Sequence, residues 1–252
     1  MIQVTSVTKH YGDTPVLRSV SLTLPNEGVT ALIGPNGAGK STLLGIMSRL
    51  QKPDSGQVLI DNLDVHSTDN ALLARKLAIL RQDNPISLRL TVFELVAFGR
   101  YPYSQGRLTD EDTNQINQAL GYLNLHSLQH RFLDELSGGQ RQRACIAMVL
   151  CQNTDYLLLD EPLNNLDMKH AVDIMKLLRR AADELGKHIV LVLHDINFAS
   201  CYADTIVAMD QGSIAHQGTP DELMTPAIMR DLYGIEMSIQ RIQNKPVGFY
   251  HL

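Results

Sequence analysis

The sequence predicts an α/β fold: a parallel sheet core, an antiparallel β subdomain near the start and an inserted helical subdomain. Three observations predict it. Short alternating runs fill the first sixty-odd residues, three continuously apolar runs lie further along and apart, and helix-period patterning occupies the middle of the chain.

The alternating runs are "IQVTSVTKHY", "SVSLTL" and "GQVLIDN", separated by turn signals at Gly12 and Asp13, at Asn26 to Gly28 and at Pro53 to Gly56. Period-two alternation between turn residues reads as half-buried antiparallel strands. "VTALIG", "YLLLDE" and "HIVLVLHD" are apolar almost throughout, as parallel strands covered on both faces must be. Each closes on glycine or polar residues at its carboxyl end, where open α/β sheets place ligands, so the three are expected to serve one crevice. In the middle, "TVFELVAFGR" carries a capping box, Thr91 with Glu94, and closes near Gly99. "TDEDTNQINQALGYL" pairs Thr109 with Asp112 and sets Ile116, Ala119, Leu120 and Leu123 on one face. A third helix, "GGQRQRACIAMVLCQ", follows Ser137. Residues 83–153 are therefore expected to be the helical insertion, 1–82 and 154–220 the α/β core with its antiparallel part, and 221–252 a C-terminal tail, all within one domain.

Composition narrows the function. At 252 residues and 44% hydrophobic, the chain can bury one large core or two smaller ones. A net charge of −5 and a pI near 6.0 lack the basic footprint of a nucleic-acid binder. The longest apolar runs, such as "IVLVL" and "ACIAMVLC", fall well short of the ~20 residues that cross a bilayer. The opening "MIQVTSVTKHYGD" has none of the regions of a secretory leader, so a cytoplasmic location is expected. Cys145, Cys151 and Cys201 have no CxxC spacing and are expected to be apolar filler. His126 and His130 stand four apart without the HExxH glutamate or a third ligand, and are expected to be structural or exposed.

The chemistry begins at "LIGPNGAGKST". Gly34, Gly39, Lys40 and Ser41 fit GxxxxGK[ST]: glycines let backbone N–H groups face a phosphate chain, the lysine neutralises its terminal oxygens and the hydroxyl meets Mg²⁺. The loop leaves a strand and opens a helix whose partial positive end adds to the attraction. A nucleoside triphosphate site also needs a metal-side carboxylate at the end of a buried strand, and Asp160 fits. Glu161, next in line, is placed to take a proton from an attacking water; the competing reading is a helix N-terminal acid ahead of Pro162. His194, past the third apolar run, would bond the terminal phosphate and the water, although a lone histidine there is more often structural. Gln82, after "LAIL", offers an amide to Mg²⁺ or water, or else a simple cap. "LSGGQ", Leu136 to Gln140, is a second anion nest, and taken alone only a helix start with serine as its cap.

As an ordered set these motifs make the whole chain resemble the ATP-binding subunit of an ABC transporter. Walker A is "GPNGAGKST", so Gly34, Pro35, Asn36, Gly37, Ala38, Gly39, Lys40, Ser41 and Thr42 are implied to hold the phosphates of ATP. The resemblance makes Gln82 the Q-loop glutamine, "YLLLD" Walker B ending in Asp160, Glu161 the catalytic glutamate and His194 the switch histidine. It assigns Mg²⁺ to Ser41, Gln82 and Asp160. It places Tyr11 where the family stacks an aromatic on adenine, the other reading being an ordinary core or hairpin tyrosine. The signature residues Ser137, Gly138, Gly139 and Gln140, with Asp167 of the D-loop, are implied to reach ATP held by a second copy. The D-loop reads "LNNLD" where many relatives have serine and alanine, which puts its contacts in doubt.

The family has a P-loop NTPase fold with a RecA-like parallel sheet, and implies a head-to-tail dimer around two ATP, integral membrane permease subunits and, indirectly, a substrate-binding protein. It places the chain peripherally at the cytoplasmic face of the bacterial inner membrane. The segment "DNPISLRLTVFELVAFGRYPYSQGR" is expected to dock the permease through Leu88, Leu90, Phe98, Tyr101 and Tyr103 beside Arg100 and Arg107, unless those aromatics pack within the insertion. Its "FGRYP" and the compact C-terminal end are most similar to ATPases of bacterial importers of iron–siderophore complexes, haem and cobalamin, the ferric siderophore group above all. A chromosome-structure ATPase would show a long coiled coil, and a GTPase an NKxD motif where this chain has "NKPV". An exporter usually fuses its membrane domain, and translation-type factors usually carry two cassettes.

Overall fold

Alternation at one end of the chain and continuous apolarity further on translate into two kinds of sheet. The computed structural model describes residues 1–82 and 88–250. In chain order the elements are β1 (Ile2–Tyr11), β2 (Thr14–Leu24), β3 (Gly28–Ile33), α1 (Lys40–Met47), β4 (Ser55–Ile60), β5 (Leu63–Asp64), α2 (Asn70–Ala74) and β6 (Leu77–Leu80). Then come α3 (Val92–Phe98), α4 (Tyr101–Ser104), α5 (Asp110–Tyr122), α6 (Gly138–Cys151), β7 (Tyr156–Asp160), α7 (Met168–Leu185), β8 (His188–Val192) and α8 (Ile196–Tyr202). The chain continues through β9 (Thr205–Asp210), β10 (Ser213–Gly218), α9 (Pro220–Leu223), α10 (Pro226–Tyr233), β11 (Ser238–Ile242) and β12 (Lys245–Phe249). Met1–Thr68 with Arg179–Leu252 form one compact unit, and Asp69–Leu178 form another.

In the first unit β1, β2, β4 and β5 make an antiparallel sheet in the order β2-β1-β4-β5. Register explains its one dry face. Ile2 stands opposite Leu24 and Ile60, Val4 opposite Leu22 and Val58, and all six are buried while residues between them face outward. β3 has no polar face to spare: it pairs in parallel with β8 on one side and β9 on the other, and β10 extends β9 antiparallel. Val29–Ile33 and all of β8 are buried, as expected of strands covered on both faces. The 221–252 stretch is folded. Its β11–β12 hairpin turns at Gln243 and Asn244, both at positive φ, and sits on α8 through Asn197, whose side chain bonds both the N–H and the carbonyl of Gly248 at 2.8 and 3.1 Å.

In the second unit β6 and β7 pair in parallel, Leu77 beside Tyr156 through Leu80 beside Leu159. The helices of this unit start as the sequence indicates. Thr91 with Glu94, Thr109 with Asp112 and Ser137 with Gln140 each form a reciprocal capping box. α3 and α5 both pack on α6, burying Val92, Leu95, Val96, Ile116, Ala119 and Leu120 against Ala144, Ile146, Ala147 and Leu150. α3 ends at Gly99 in ordinary right-handed geometry because the chain turns straight into α4.

One expectation is corrected here. Arg100 is not on an exposed docking face but 5% exposed, bonded through Nε to Asp112 at 2.9 Å and through a terminal nitrogen to the Cys151 carbonyl at 3.0 Å, with the Tyr103 ring 3.9 Å away. A buried guanidinium needs partners for its donors, and here a carboxylate 12 positions away and a carbonyl 51 positions away accept from it while the nearby Tyr103 ring covers its face. Leu88, Phe98 and Tyr101 are exposed at 65, 49 and 61%, whereas Leu90 and Tyr103 are half-buried. Asp83 to Ser87 of the expected docking segment lie outside the described residues.

Candidate nucleotide site

The first unit carries the phosphate loop. β3 ends at Ile33 and α1 begins at Lys40, with Gly34, Gly37 and Gly39 all at positive φ, 139, 80 and 99°. These angles turn successive N–H groups toward one side. At Gly34 a methyl group would run into the Met209 carbonyl, so the position admits only glycine. Gly39 occupies the N-cap of α1 in left-handed geometry and gives the helix no side-chain cap, unlike Thr91, Thr109 and Ser137 at their helices. No side chain of the N-cap residue therefore stands at the start of α1, the end of a helix that favours an anion. Lys40 is 5% exposed, its Nζ donating to the Gly34 carbonyl at 2.8 Å and the Pro35 carbonyl at 3.0 Å. The loop's own oxygens fill the place that phosphate oxygens would take, and a buried ammonium held by carbonyls is electrostatically primed for a polyanion. A nucleoside triphosphate therefore fits this loop.

Two other expected residues lie in the same unit. Tyr11 ends β1, is 51% exposed and donates its hydroxyl to Gln51 Oε1 at 2.6 Å. Exposure excludes the core reading and leaves an aromatic face in water. Gln51 was not expected from the sequence, and no local signal points to it. His194 lies two residues beyond β8, exposed, just before Asp195, whose carboxylate caps α8 through the N–H groups of Asn197 and Phe198.

The second unit carries the carboxylates. β7 delivers Asp160 as its last residue, half-buried, and Glu161 follows at φ +47°. Glu161 heads a turn rather than a helix, since Asn164 N–H donates to its carbonyl at 3.1 Å and α7 starts only at Met168. This disposes of the helix-acid alternative. Gln82 Nε2 donates to Glu161 Oε2 at 2.8 Å, bringing together two residues 79 positions apart. A Gln82 whose nitrogen is engaged this way has its carbonyl oxygen to offer a cation, and within this unit it and the Asp160 carboxylate are oxygen donors of the hard kind Mg²⁺ takes, as the Ser41 hydroxyl is in the first unit. Ser137 caps α6: its hydroxyl accepts from Gln140 N–H at 3.3 Å while Gln140 Oε1 accepts from Ser137 N–H at 3.0 Å. Cap and signature are thus the same four residues. Gly139 is buried against the His170 ring, where a methyl would collide. Asp167 accepts from His170 N–H and pairs with its Nδ1, both at 2.8 Å, and these bonds hold its carboxyl below the usual range.

Residues 17–164 match the family model described as "ABC transporter". The chain belongs to the ABC transporter family. This ATP-binding cassette is 55% identical over 250 residues to the petrobactin import ATP-binding protein YclP of Bacillus subtilis (strain 168), covering 99% of each chain. It is 40% identical over 235 residues to the ferric enterobactin transport ATP-binding protein FepC of Escherichia coli (strain K12), covering 92% of this chain and 87% of that one. Among solved structures it is similar to a dimeric ATP-binding cassette in a post-hydrolysis state with ADP and Pi, at TM-score 0.77 and 31% identity over 87% of this chain and 99% of that one. The cassette has the P-loop fold of these relatives and is an ATP hydrolase. Among the described residues no helix is long and apolar enough to cross a membrane.

Proposed function

We propose that this cassette energises a bacterial importer of ferric siderophores, working as a pair of identical chains on the cytoplasmic face of the inner membrane. The observation that carries this is likeness over nearly the full length of both chains to a petrobactin import ATP-binding protein. The partners in this reading are integral membrane permease subunits and, through them, a substrate-binding protein. Leu88, Phe98 and Tyr101 supply the exposed apolar surface for a permease segment. Residues 1–82 and 154–220 act as the catalytic core, 83–153 as the signature-bearing insertion and 221–252 as a C-terminal tail.

The chemistry follows from the side chains. The loop from Gly34 to Thr42 binds the phosphate chain through its N–H groups, and Lys40 exchanges its carbonyl partners for phosphate oxygens. Tyr11 stacks on the base. Ser41, Asp160 and Gln82 would hold Mg²⁺, which would supply charge neutralisation at the terminal phosphates. Glu161 accepts a proton as water attacks the terminal phosphorus, and the bond to the ADP oxygen breaks. His194 orients that water and the departing phosphate. Ser137, Gly138, Gly139, Gln140 and Asp167 address the nucleotide of the partner chain, so ATP joins two copies and its hydrolysis releases them.

The test is uptake by bacteria whose own copy of this chain is deleted. Wild-type chain is expected to restore uptake of a labelled ferric siderophore, and Lys40→Ala to reduce it at least tenfold, roughly the worth of a charge-assisted phosphate contact. Restored uptake of haem or cobalamin without any ferric siderophore would overturn the cargo assignment.

A further inference from the structure

Glu161 sits in left-handed backbone geometry, φ +47°, which residues with a side chain adopt only where their surroundings enforce it. The enforcement is visible. Asn164 N–H closes on the Glu161 carbonyl at 3.1 Å, Leu166 N–H on the Leu163 carbonyl at 3.3 Å, and Gln142 of α6 donates Nε2 to the Pro162 carbonyl at 2.7 Å. The turn that bears the carboxylate is thus knotted on itself and pinned by the signature helix.

The side chain is held as firmly as the backbone. Asn164 Nδ2 donates to Glu161 Oε2 at 2.8 Å, the same oxygen that Gln82 Nε2 meets at 2.8 Å. One donor restrains a carboxylate only along its own direction, whereas two converging from separate segments also restrain rotation of its plane. Both donors are neutral amides, so each offers an N–H that orients the carboxylate and neither exchanges a proton with it. The two are not equivalent. Gln82 belongs to a distant stretch and is itself a candidate metal ligand, while Asn164 lies three residues away in the same turn and stays beside Glu161 wherever that turn goes.

We propose that Asn164 is a positioning residue for ATP hydrolysis: its amide fixes the Glu161 carboxylate in the orientation that takes a proton from the attacking water. This rests on the proposed role of Glu161. Asn164 exchanges no proton; water's oxygen bonds the terminal phosphorus, ADP leaves with the electrons of the broken bond, and Glu161 receives the proton.

Steady-state ATP hydrolysis by the full-length chain tests this with Asn164→Ala, Asn164→Asp and Asn164→Gln. Losing the donor is expected to lower kcat roughly tenfold in the Ala and Asp variants, as loss of one hydrogen bond to a charged group does, with KM for ATP within about twofold and an unchanged melting midpoint. The Gln variant retains the amide on a longer arm at an exposed position and is expected to recover most of kcat. Wild-type kcat in the Ala and Asp variants overturns the proposal, as does a joint fall in kcat and melting midpoint or a Gln variant no better than Ala. Glu161→Gln measured in parallel separates the two assignments: if it abolishes turnover while the Asn164 variants keep theirs, only Asn164 is misassigned; if it turns over normally, the role of Glu161 falls as well.

Discussion

His188 ties the fold to pH through one side chain. It opens β8 opposite Gly28, fully buried, with Nε2 3.2 Å from the Thr30 hydroxyl, and burial pushes its imidazole from 6.5 down to about 4. The folded state therefore binds fewer protons than the unfolded chain between these values. Its contribution is complete above the unfolded pKa and is lost as pH falls from there toward about 4. Urea unfolding is expected to show this group removing about 2 kcal/mol between about pH 7 and pH 5. His188→Gln keeps a bond to Thr30 and removes the titration, so its stability should fall less across that interval; an equal fall would show that His188 is not the group responsible. The residue-scale features that escaped the sequence share one cause. Asn164, Gln51 and the buried state of Arg100 depend on where distant or turn-borne groups arrive, and neither propensity nor periodicity encodes that arrival.

Elements were far more legible. The capping boxes at Thr91, Thr109 and Ser137 and the dry strands β3, β7 and β8 stand where pattern puts them, because cap chemistry and burial period are local. The β11–β12 hairpin was not legible: "SIQRI" is mostly exposed, so it lacks the apolar alternation that would announce a strand. Arg100 could not be read from "FGRYP" because arginine is ordinarily a surface residue and its acceptor Cys151 carbonyl is 51 positions away. That buried pair joins the starts of α4 and α5 to the end of α6. Asp112, whose carboxyl the Thr109 N–H, then Arg100 and the Thr109 hydroxyl hold below its usual range, is 3% exposed. Asp112→Asn leaves Arg100 buried without its countercharge and is expected to cost about 3 kcal/mol in urea unfolding near neutral pH. Because a depressed carboxyl stabilises only while ionised, the difference from wild type should shrink as pH falls through its folded value; a constant difference into acid would show that charge is not what Asp112 contributes.

At the scale of the whole molecule the chain is an ATP hydrolase of the ABC transporter family, and among its described residues no helix is long and apolar enough to cross a membrane. The places of the motifs were legible because each is short and local: the glycine turn that leads into α1, the acid that ends β7 and the serine-capped start of α6 stand where the sequence puts them. In the proposed reading both the start of α1, without a side-chain cap, and that of α6, with one, bind phosphate, which is redundant for one ATP but complementary between two copies. Light scattering on Glu161→Gln measures that claim directly. With ATP and Mg²⁺ the variant is expected to shift from monomer to a stable dimer while releasing phosphate at least a hundredfold more slowly than wild type, on the order of what loss of a general base costs. A variant that remains monomeric with ATP bound, or that releases phosphate at the wild-type rate, would contradict it.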